Sequence, residues 1–341
     1  MLESSSHGLS KRTNRLGDVN FDVGVMTNVT HDHLEFHGTW EQYRSDKAEL
    51  FRSLDSSHAC LDEQKSLKGV PIPSFGVVNA DDQSADYFAA ATKHKTYRFS
   101  TKGSDADLSL RLLESGPDGN WYEVYVTSSG ATLTLRDQLP GAFNVGNVLA
   151  SLLVVSNLLS MEVEALVPFV QQLKPVRGRM TMIQQGQPFE VLVDYAHTPS
   201  SFEAVLPPLR ERLNSAGGKL ICLFGSPGER DTQKRSLQGE VAARYADIVI
   251  LTDEDPRGED PMTILEEIAA GCGSMVRDET LFLIPDRPQA IRKAFSFAKE
   301  GDIVLLLGKG HENSIIYADK TIDYDEIKEA EKALAEAGYG T

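Results

Sequence analysis

Short apolar runs and amphipathic stretches alternate along the second half of the chain. The apolar runs predict buried strands and are Phe189–Asp194, Lys219–Phe224, Asp247–Thr252, Thr280–Pro285 and Asp302–Gly308. The stretches between them, such as Ser236–Tyr245 and Met262–Cys272, have helical spacing. This alternation predicts a mostly parallel sheet with helices on both faces, whose ligands bind beyond the carboxyl ends of the strands.

The first half of the chain has a more mixed pattern. Apolar runs at Phe21–Asn28 and Ser74–Val78 predict strands, and Trp40–Leu54 has the spacing of an amphipathic helix. Residues 96–136 alternate between apolar and polar positions around a Gly-Pro-Asp-Gly turn, which predicts an antiparallel hairpin region. A further helix is predicted over Asn144–Leu159. The fold class is therefore α/β.

Composition narrows the class of protein. The 341 residues are enough for two domains, and a Pro-Val-Arg-Gly stretch after residue 174 predicts the domains 1–174 and 175–341. No run approaches 18 apolar residues, so no membrane span is expected, and the start of the chain lacks a signal-peptide pattern. The net charge of −16 argues against a nucleic-acid surface. Three widely separated cysteines fit reduced thiols, so we expect a cytoplasmic, bacterial protein.

Polar signatures recur at the predicted strand ends and helix starts. In chain order they are Glu3–His7, Thr27–His33, Asn144–Asn147, Gly178–Met180, Asp194–Pro199, Gly225–Asp231, Asp253–Arg257 and Gly308–Glu312. Each has an ordinary structural explanation: Asn144, for example, could cap a helix, and Lys47 could be a solvated lysine on a helix face. His31 and His33, followed by His37, suggest a zinc hydrolase, but no further His or Cys cluster completes a three-ligand site at readable spacing.

All eight signatures, in this order, resemble those of the Mur ligases, ATP-dependent enzymes that add amino acids to the peptidoglycan precursor. The Asp253–Arg257 and Gly308–Glu312 stretches are similar to those of members that add the third residue. The resemblance covers nearly the whole chain. It implies a central ATP-binding catalytic domain followed by a Rossmann-like domain that binds the incoming amino acid.

The resemblance also implies a set of site residues. Magnesium would be held by Glu3, His33 and a carbamylated Lys47, which together with Arg179 would be catalytic. ATP would contact Asn144, Asn147, Arg179, Asp194 and His197, and the UDP-linked substrate Ser5, Ser6 and His7. The incoming amino acid would contact Arg230, Asp255, Arg257, Gly308 and Glu312. Asp231, Lys234 and Arg235 would order a loop or face phosphate.

The implied reaction couples ATP hydrolysis to amide-bond formation. ATP would phosphorylate the carboxylate of UDP-N-acetylmuramyl-dipeptide, and a diamino acid would attack the acyl phosphate. The acids beside Arg257 and at Glu312 favour a positively charged side-chain end, so we expect L-lysine or L-ornithine rather than meso-diaminopimelate. We expect a monomer. The alternatives left open are a non-catalytic binding protein that keeps the fold and a related ligase such as folylpolyglutamate synthetase.

One family signature does not occur in these 341 residues. The G-x-x-x-x-G-K-[ST] loop, whose backbone amides and lysine cradle the phosphates of ATP, is absent from the sequence. Complete family members carry it after a uridine-binding domain, ahead of the stretch that matches Glu3–His7. A truncated gene, an expressed fragment and a chain that needs a partner would each explain this, and we expect truncation.

We predict that the purified 341-residue chain has negligible ligase activity. Loss of the loop removes several charge-assisted hydrogen bonds to phosphate, each contributing roughly 1.5–3 kcal/mol. The measurement is ADP release with UDP-muramyl-dipeptide, a diamino acid, ATP and magnesium. Turnover at the rate of an intact family member would refute the prediction.

Overall fold

The computed structural model describes residues 1–30, 34–56, 66–67, 70–116 and 118–340. The chain divides into two compact units, Met1–Lys174 and Pro175–Thr341. The helices of the first unit are α1 (Ser6–Leu9), α2 (Leu34–His37), α3 (Trp40–Leu54), α4 (Ala85–Ala89), α5 (Phe143–Leu159) and α6 (Val167–Val170), with a 3-10 turn at Val163–Leu166. Its strands are β1 (Val23–Met26), β2 (Ser66–Leu67), β3 (Val70–Pro71), β4 (Phe75–Asn79), β5 (Thr96–Ser100), β6 (Leu108–Gly116), β7 (Gly119–Val126) and β8 (Ala131–Asp137).

The first unit is built on a mixed sheet with the strand order β1-β4-β5-β6-β7-β8. Strands β1, β4, β5 and β6 are parallel, whereas β6, β7 and β8 form antiparallel hairpins. The expectation of an antiparallel region over 96–136 was therefore wrong for Thr96–Ser100, which pairs in parallel with its neighbours. Alternation along one short strand reports which face is buried, but it carries no information about the direction of the neighbouring strand.

Both faces of this sheet are covered by helices. On one face α5 contributes Val145 and Leu149 to a core that includes Phe75 and Tyr122. On the other face Phe51 of α3 packs with a smaller cluster from β1, β4 and α4. The central parallel strand β4 is thus buried on both faces, whereas the edge strand β1 leaves Val25 exposed.

The second unit contains helices α7 (Pro199–Ala216), α8 (Gln233–Tyr245), α9 (Pro261–Ala269), α10 (Arg287–Phe297) and α11 (Glu326–Glu336). Its strands are β9 (Thr181–Ile183), β10 (Glu190–Asp194), β11 (Leu220–Phe224), β12 (Ile248–Leu251), β13 (Leu281–Leu283), β14 (Ile303–Leu307), β15 (Ser314–Ile316) and β16 (Thr321–Asp323). The main sheet has the order β13-β12-β11-β14-β10-β9, and β9 alone among these strands is antiparallel. The predicted mostly parallel sheet is confirmed.

Alternate residues along the strands of the second sheet point to opposite faces. Leu192 and Leu305 point to a core shared with α7, α8 and α9, whereas Val191 and Val304 point to a core shared with α10 and α11. Because β14 inserts between β10 and β11, the carboxyl ends of four neighbouring strands, β12, β11, β14 and β10, meet at one edge. This edge carries most of the polar signatures of the second half.

Across the described part of the chain, no single helix is both long and apolar enough to cross a membrane. One pair of helical segments, Phe143–Leu159 and Val163–Val170, meets the length and composition criteria together but is bent by 112°.

Candidate functional site

Several buried polar atoms at the carboxyl edge of the second sheet have no hydrogen-bond partner. They include Ser226 Oγ, Gln238 Oε1, Asp253 Oδ1, Glu254 Oε2 and Arg257 Nε. Leaving such an atom unpaired costs about 1–3 kcal/mol, so native proteins leave few of them. A group of them at one sheet edge is typical of a site that binds a polar ligand.

The ammonium of Lys309 stands between two carboxylates of this edge. Its Nζ lies 3.0 Å from Asp255 Oδ1 and 2.6 Å from Glu312 Oε2, and the side chain is 1% exposed. Arg257 lies close by, with Nη2 3.9 Å from Asp255 Oδ2. The structure thus brings together three of the residues expected to bind an amino acid. Lys309 belongs to the Gly308–Glu312 stretch, but no role was expected for it. Its buried ammonium offsets part of the negative charge of Asp255 and Glu312.

Glu254 differs from the two acids that Lys309 pairs. Its side chain lies against Gly308, where an added Cβ would stand 2.9 Å from Glu254 Oε2, and Gly308 has a φ of +99° that favours glycine. Burial raises the pKa of Glu254, while the charges of His197, Lys234 and Lys309 oppose the shift. Glu254 therefore keeps an unpaired oxygen among several cations, which suits it to accept a ligand's hydrogen bond.

Asp253 lies at this edge, where it follows Thr252 after the end of β12. Its Oδ2 accepts a hydrogen bond of 3.0 Å from the hydroxyl of Tyr317, and its Oδ1 has no partner. Burial raises the pKa of Asp253 to about 6, although the Tyr317 bond acts in the opposite direction. The next loop residues are fixed through β15, since Ile316 N donates to Asp255 Oδ1 and Arg257 N donates to Ile316 O.

A buried arginine that the sequence did not single out supports both acidic loops. Arg287 donates to the carbonyls of Asp253 and Leu307, at 3.0 and 2.7 Å. Asp253 is the first residue of one signature stretch, and Leu307 directly precedes the other. It also forms a two-pronged pair with Glu326, in which both side chains are fully buried. Its position in an Asp-Arg-Pro helix start gives no hint of this in the sequence.

Asp194, at the end of β10, uses both of its carboxylate oxygens within the protein. Oδ1 accepts from Ala196 N and Oδ2 from Met180 N, each at 2.8 Å. Burial raises the pKa of Asp194, and these two bonds act against that shift. Asp194 therefore ties the loop of Gly178–Met180 to the sheet edge.

Tyr195 connects the remaining signatures at this edge. The guanidinium of Arg179 lies 4.7 Å from the centre of its ring, and its hydroxyl donates to Glu312 Oε1 at 3.2 Å. The rings of His197 and His311 lie within 5 Å of it, at 4.8 and 4.9 Å. Tyr195 belongs to the Asp194–Pro199 stretch, and no role was expected for it from the sequence.

The loop from Gly225 to Asp231 is ordered by buried basic residues. Arg235 donates to Pro227 O and pairs with Glu259 and Glu267, while Lys234 Nζ lies 3.3 Å from His197 O. Asp231 accepts from Gln233 N at the start of α8. Arg230, by contrast, is exposed on this loop.

In the first unit, the signature residues gather around helices α1 and α3. Ser5 caps α1 by accepting from Gly8 N at 3.1 Å, and Ser6 and His7 form its first turn. Lys47 is half-buried on α3, with Nζ 5.1 Å from the centre of the Tyr43 ring. Glu3 is exposed, and His33 lies outside the described residues.

The expected residues can bind magnesium only if Lys47 is chemically modified. No group of three or more His, Cys, Asp or Glu side chains that could hold a metal occurs among the residues described. The exposed Glu3 offers carboxylate oxygens, which magnesium prefers, but an unmodified lysine ammonium cannot coordinate a cation. Carbamylation would supply the missing anionic oxygens, so the fit requires that modification.

The two asparagines expected around adenine lie together at the start of α5. Asn147 Nδ2 donates to Asn144 Oδ1 at 3.0 Å, and Asn144 Nδ2 donates to Pro140 O at 2.8 Å. Asn144 is not the cap of this helix, which begins at Phe143 without a side-chain cap. The two side-chain amides therefore lie together at the N-terminus of α5.

The chain is similar to known proteins over most of its length. The Mur ligase middle domain matches residues 1–155, and the Mur ligase glutamate ligase domain matches residues 178–310. The UDP-N-acetylmuramyl-tripeptide synthetase of Treponema denticola is 52% identical over 345 residues, covering 98% of this chain and 62% of the relative. The chain belongs to the Mur ligase family.

Other Mur ligases extend the comparison to a diaminopimelate-adding relative and to a solved structure. UDP-N-acetylmuramoyl-L-alanyl-D-glutamate--2,6-diaminopimelate ligase of Geobacillus thermodenitrificans is 38% identical, covering 98% of this chain and 64% of the relative. The fold matches MurF of Thermotoga maritima, solved with ADP, at a TM-score of 0.62 and 20% identity, covering 94% of this chain and 63% of that one. The chain thus spans less than two thirds of the length of these Mur ligases.

We predict that Asp253→Asn stabilises the second unit more at neutral pH than at acidic pH. Because the folded pKa of about 6 lies above the ordinary value of 3.8, burial favours the protonated carboxyl. That stabilisation is complete below the unfolded pKa and is lost as pH rises through 6, whereas asparagine does not titrate. The variant's free energy of unfolding relative to wild type should therefore rise by about 1–2 kcal/mol between pH 4.5 and 7.5.

Urea unfolding at both pH values measures this difference, and carbon NMR of the Asp253 carboxyl gives the pKa directly. Tyr317→Phe is the matched control, since loss of its hydroxyl should raise the Asp253 pKa further. A difference in unfolding free energy that is independent of pH would contradict the prediction.

Proposed function

We propose that this chain carries the catalytic and amino-acid-binding parts of an ATP-dependent ligase of peptidoglycan precursor synthesis. The substrates would be UDP-N-acetylmuramyl-L-Ala-D-Glu, ATP and a diamino acid. The observation that carries the proposal is the edge at which Asp255, Lys309, Glu312 and Arg257 converge. Such a set of alternating charges suits an amino acid, which brings both an ammonium and a carboxylate.

The reaction requires an activated carboxylate, since joining an acid to an amine in water is uphill. A carboxylate oxygen of the peptide attacks the γ-phosphorus of ATP, ADP leaves, and an acyl phosphate forms. The amine of the diamino acid then attacks the acyl carbon, loses a proton, and expels inorganic phosphate. Magnesium, which Glu3, His33 and carbamylated Lys47 would hold, would neutralise phosphate charge when bound.

The chain's own residues would bind and orient the reactants. Asn144 and Asn147 would offer amide groups to adenine, and Arg179 a cation to phosphate. Ser5 and His7 would contact the UDP-linked substrate, whereas Ser6, which is 2% exposed, is enclosed by the protein and would not reach it. At the sheet edge, Arg257 would bind a carboxylate of the amino acid, while Glu254 and Glu312 would accept from an ammonium.

The Treponema denticola relative offers a direct experimental test. Joining the residues of that relative that precede its matched region to this chain should give an enzyme that releases ADP and phosphate only when the muramyl-dipeptide and a diamino acid are both present. With oxygen-18 in the carboxylates of the dipeptide, one labelled oxygen should appear in each inorganic phosphate. Unlabelled phosphate would rule out the acyl phosphate, and a fused enzyme without ligation would rule out the function.

We predict that this fused enzyme uses L-lysine or L-ornithine in preference to meso-diaminopimelate. Lys309 already pairs Asp255 and Glu312, but Glu254 keeps an unpaired buried oxygen for a distal ammonium. Glu254→Gln should lower kcat/KM for the preferred amino acid at least tenfold, since a charge-assisted hydrogen bond contributes roughly 1.5–3 kcal/mol.

The measurement is kcat/KM with each amino acid, and Glu240→Gln on the exposed face of α8 is the matched control. A preference for diaminopimelate of tenfold or more, about 1.4 kcal/mol in the transition state, would show that Arg257 outweighs the acids.

A further inference from the structure

We propose that His37 is a positioning residue, which holds helix α1 on helix α3 through a relay of Ser6, His37 and Asp46. Its consequence for catalysis rests on the proposed function, because α1 carries the residues expected to meet the UDP-linked substrate. The relay itself is a property of the first unit and can be tested without any ligand.

Helix α1 cannot hold its own position. It is a single turn of four residues, Ser6–Leu9, and isolated helices of that length are unstable in water. The Ser5 cap satisfies one backbone amide within the turn, but it does not fix the turn to the rest of the unit. An anchor in tertiary structure is therefore needed.

The relay supplies this anchor with three buried side chains. His37 Nδ1 lies 2.7 Å from Asp46 Oδ2, and His37 Nε2 lies 3.0 Å from Ser6 Oγ. Ser6, His37 and Asp46 are 2%, 7% and 5% exposed. Gln42 Nε2 donates to the other carboxylate oxygen of Asp46 at 2.9 Å and orients it.

The Asp46 carboxylate sets the direction of its own bond to His37. A carboxylate can only accept, so His37 must carry a hydrogen on Nδ1 and donate it to Asp46. In the neutral ring, Nε2 is then the acceptor and the Ser6 hydroxyl donates to it. The Nδ1–H tautomer is therefore a specific signature of the relay, because simple packing of the ring would not select it.

A row of rings reinforces the same connection. The rings of His7 and Phe36 lie 4.2 Å apart, those of Phe36 and His37 4.7 Å, and those of His37 and Tyr43 5.2 Å. The row runs from α1 through α2 to α3, where Lys47 follows Asp46 directly. His37 is the third of the four rings in this row, and it has polar bonds to both α1 and α3.

The relay has the order of a Ser-His-Asp triad, but its burial gives it a different role. A nucleophilic serine must reach its substrate, whereas Ser6 Oγ is enclosed and its side chain is 2% exposed. The bond to His37 thus fixes Ser6 and, with it, the neighbouring Ser5 and His7. In the proposed ligase, this would set their positions relative to Lys47.

The first experiment is nitrogen NMR of the imidazole of His37 in the wild-type 341-residue chain. We expect a hydrogen on Nδ1 with a coupling across the hydrogen bond to Asp46. A ring with hydrogen on Nε2 alone would overturn the proposal, and this measurement needs no variant.

The second experiment is hydrogen exchange of the backbone amides around α1. Ser6→Ala and His37→Phe should speed exchange at Leu9, Ser10 and Leu16 at least tenfold, since these amides bond to Ser5 O, Ser6 O and Gly8 O. His37→Gln, which keeps one donor and one acceptor, should exchange more slowly than His37→Phe. Amides in β7 and β8 should be unchanged.

His94→Phe is the matched control, because His94 is partly exposed and 4.0 Å from Asp55 Oδ1. If His37→Phe disturbs the sheet, Ser6→Ala decides the question alone. Unchanged exchange in Ser6→Ala, equal exchange in the Phe and Gln variants, or labelling of Ser6 by a fluorophosphonate would each overturn the proposal. All of these outcomes are independent of ligase activity, so failure of the proposed function leaves them interpretable.

Discussion

The second unit depends on one fully buried ion pair, Arg287 with Glu326. The guanidinium satisfies the carboxylate on one side and the carbonyls of Asp253 and Leu307 on the other. Tyr324 donates a further hydrogen bond to Glu326. Two charges can be buried in this way only if every polar atom finds a partner, and removing one member of such a pair destabilises a protein by about 3–5 kcal/mol. The two acidic loops can therefore approach each other because Arg287 holds the backbone at the root of both.

The charges of these loops follow from that constraint. Asp253, Glu254, Asp255 and Glu312 would repel each other and lose solvation if they converged alone. Lys309 offsets two of them, and the Tyr317 hydroxyl binds a third. Glu254 remains without a hydrogen bond at one oxygen, so the edge is incompletely satisfied where a ligand would bind. Incomplete satisfaction lowers stability but preserves affinity for a polar ligand.

In the first unit, side-chain hydrogen bonds hold short segments in place. Helices α1 and α2 are each one turn long, and neither is stabilised by its own length. Asp81 shows the same principle at the end of β5: its carboxylate accepts from Ser100, Thr101, Lys102 and Ser104 and so shapes the loop after that strand. In this unit, hydrogen bonds from polar side chains fix segments that are too short to be stabilised by helix length.

The sequence by itself determined the α/β class, the parallel sheet of the second unit, and the family, because hydrophobic period and ordered motifs are local properties of the chain. It also predicted that Asp194, Gly225, Asp253 and Gly308 share one sheet edge, since each follows a predicted strand. Only the tertiary structure decided that Thr96–Ser100 is a parallel strand and that Lys309 pairs two of the pocket's acids. The same holds for Arg287 and His37, whose partners lie 39 and 31 residues away in the sequence. Strand direction and side-chain pairing depend on which distant segments meet, and no local pattern of residues records that.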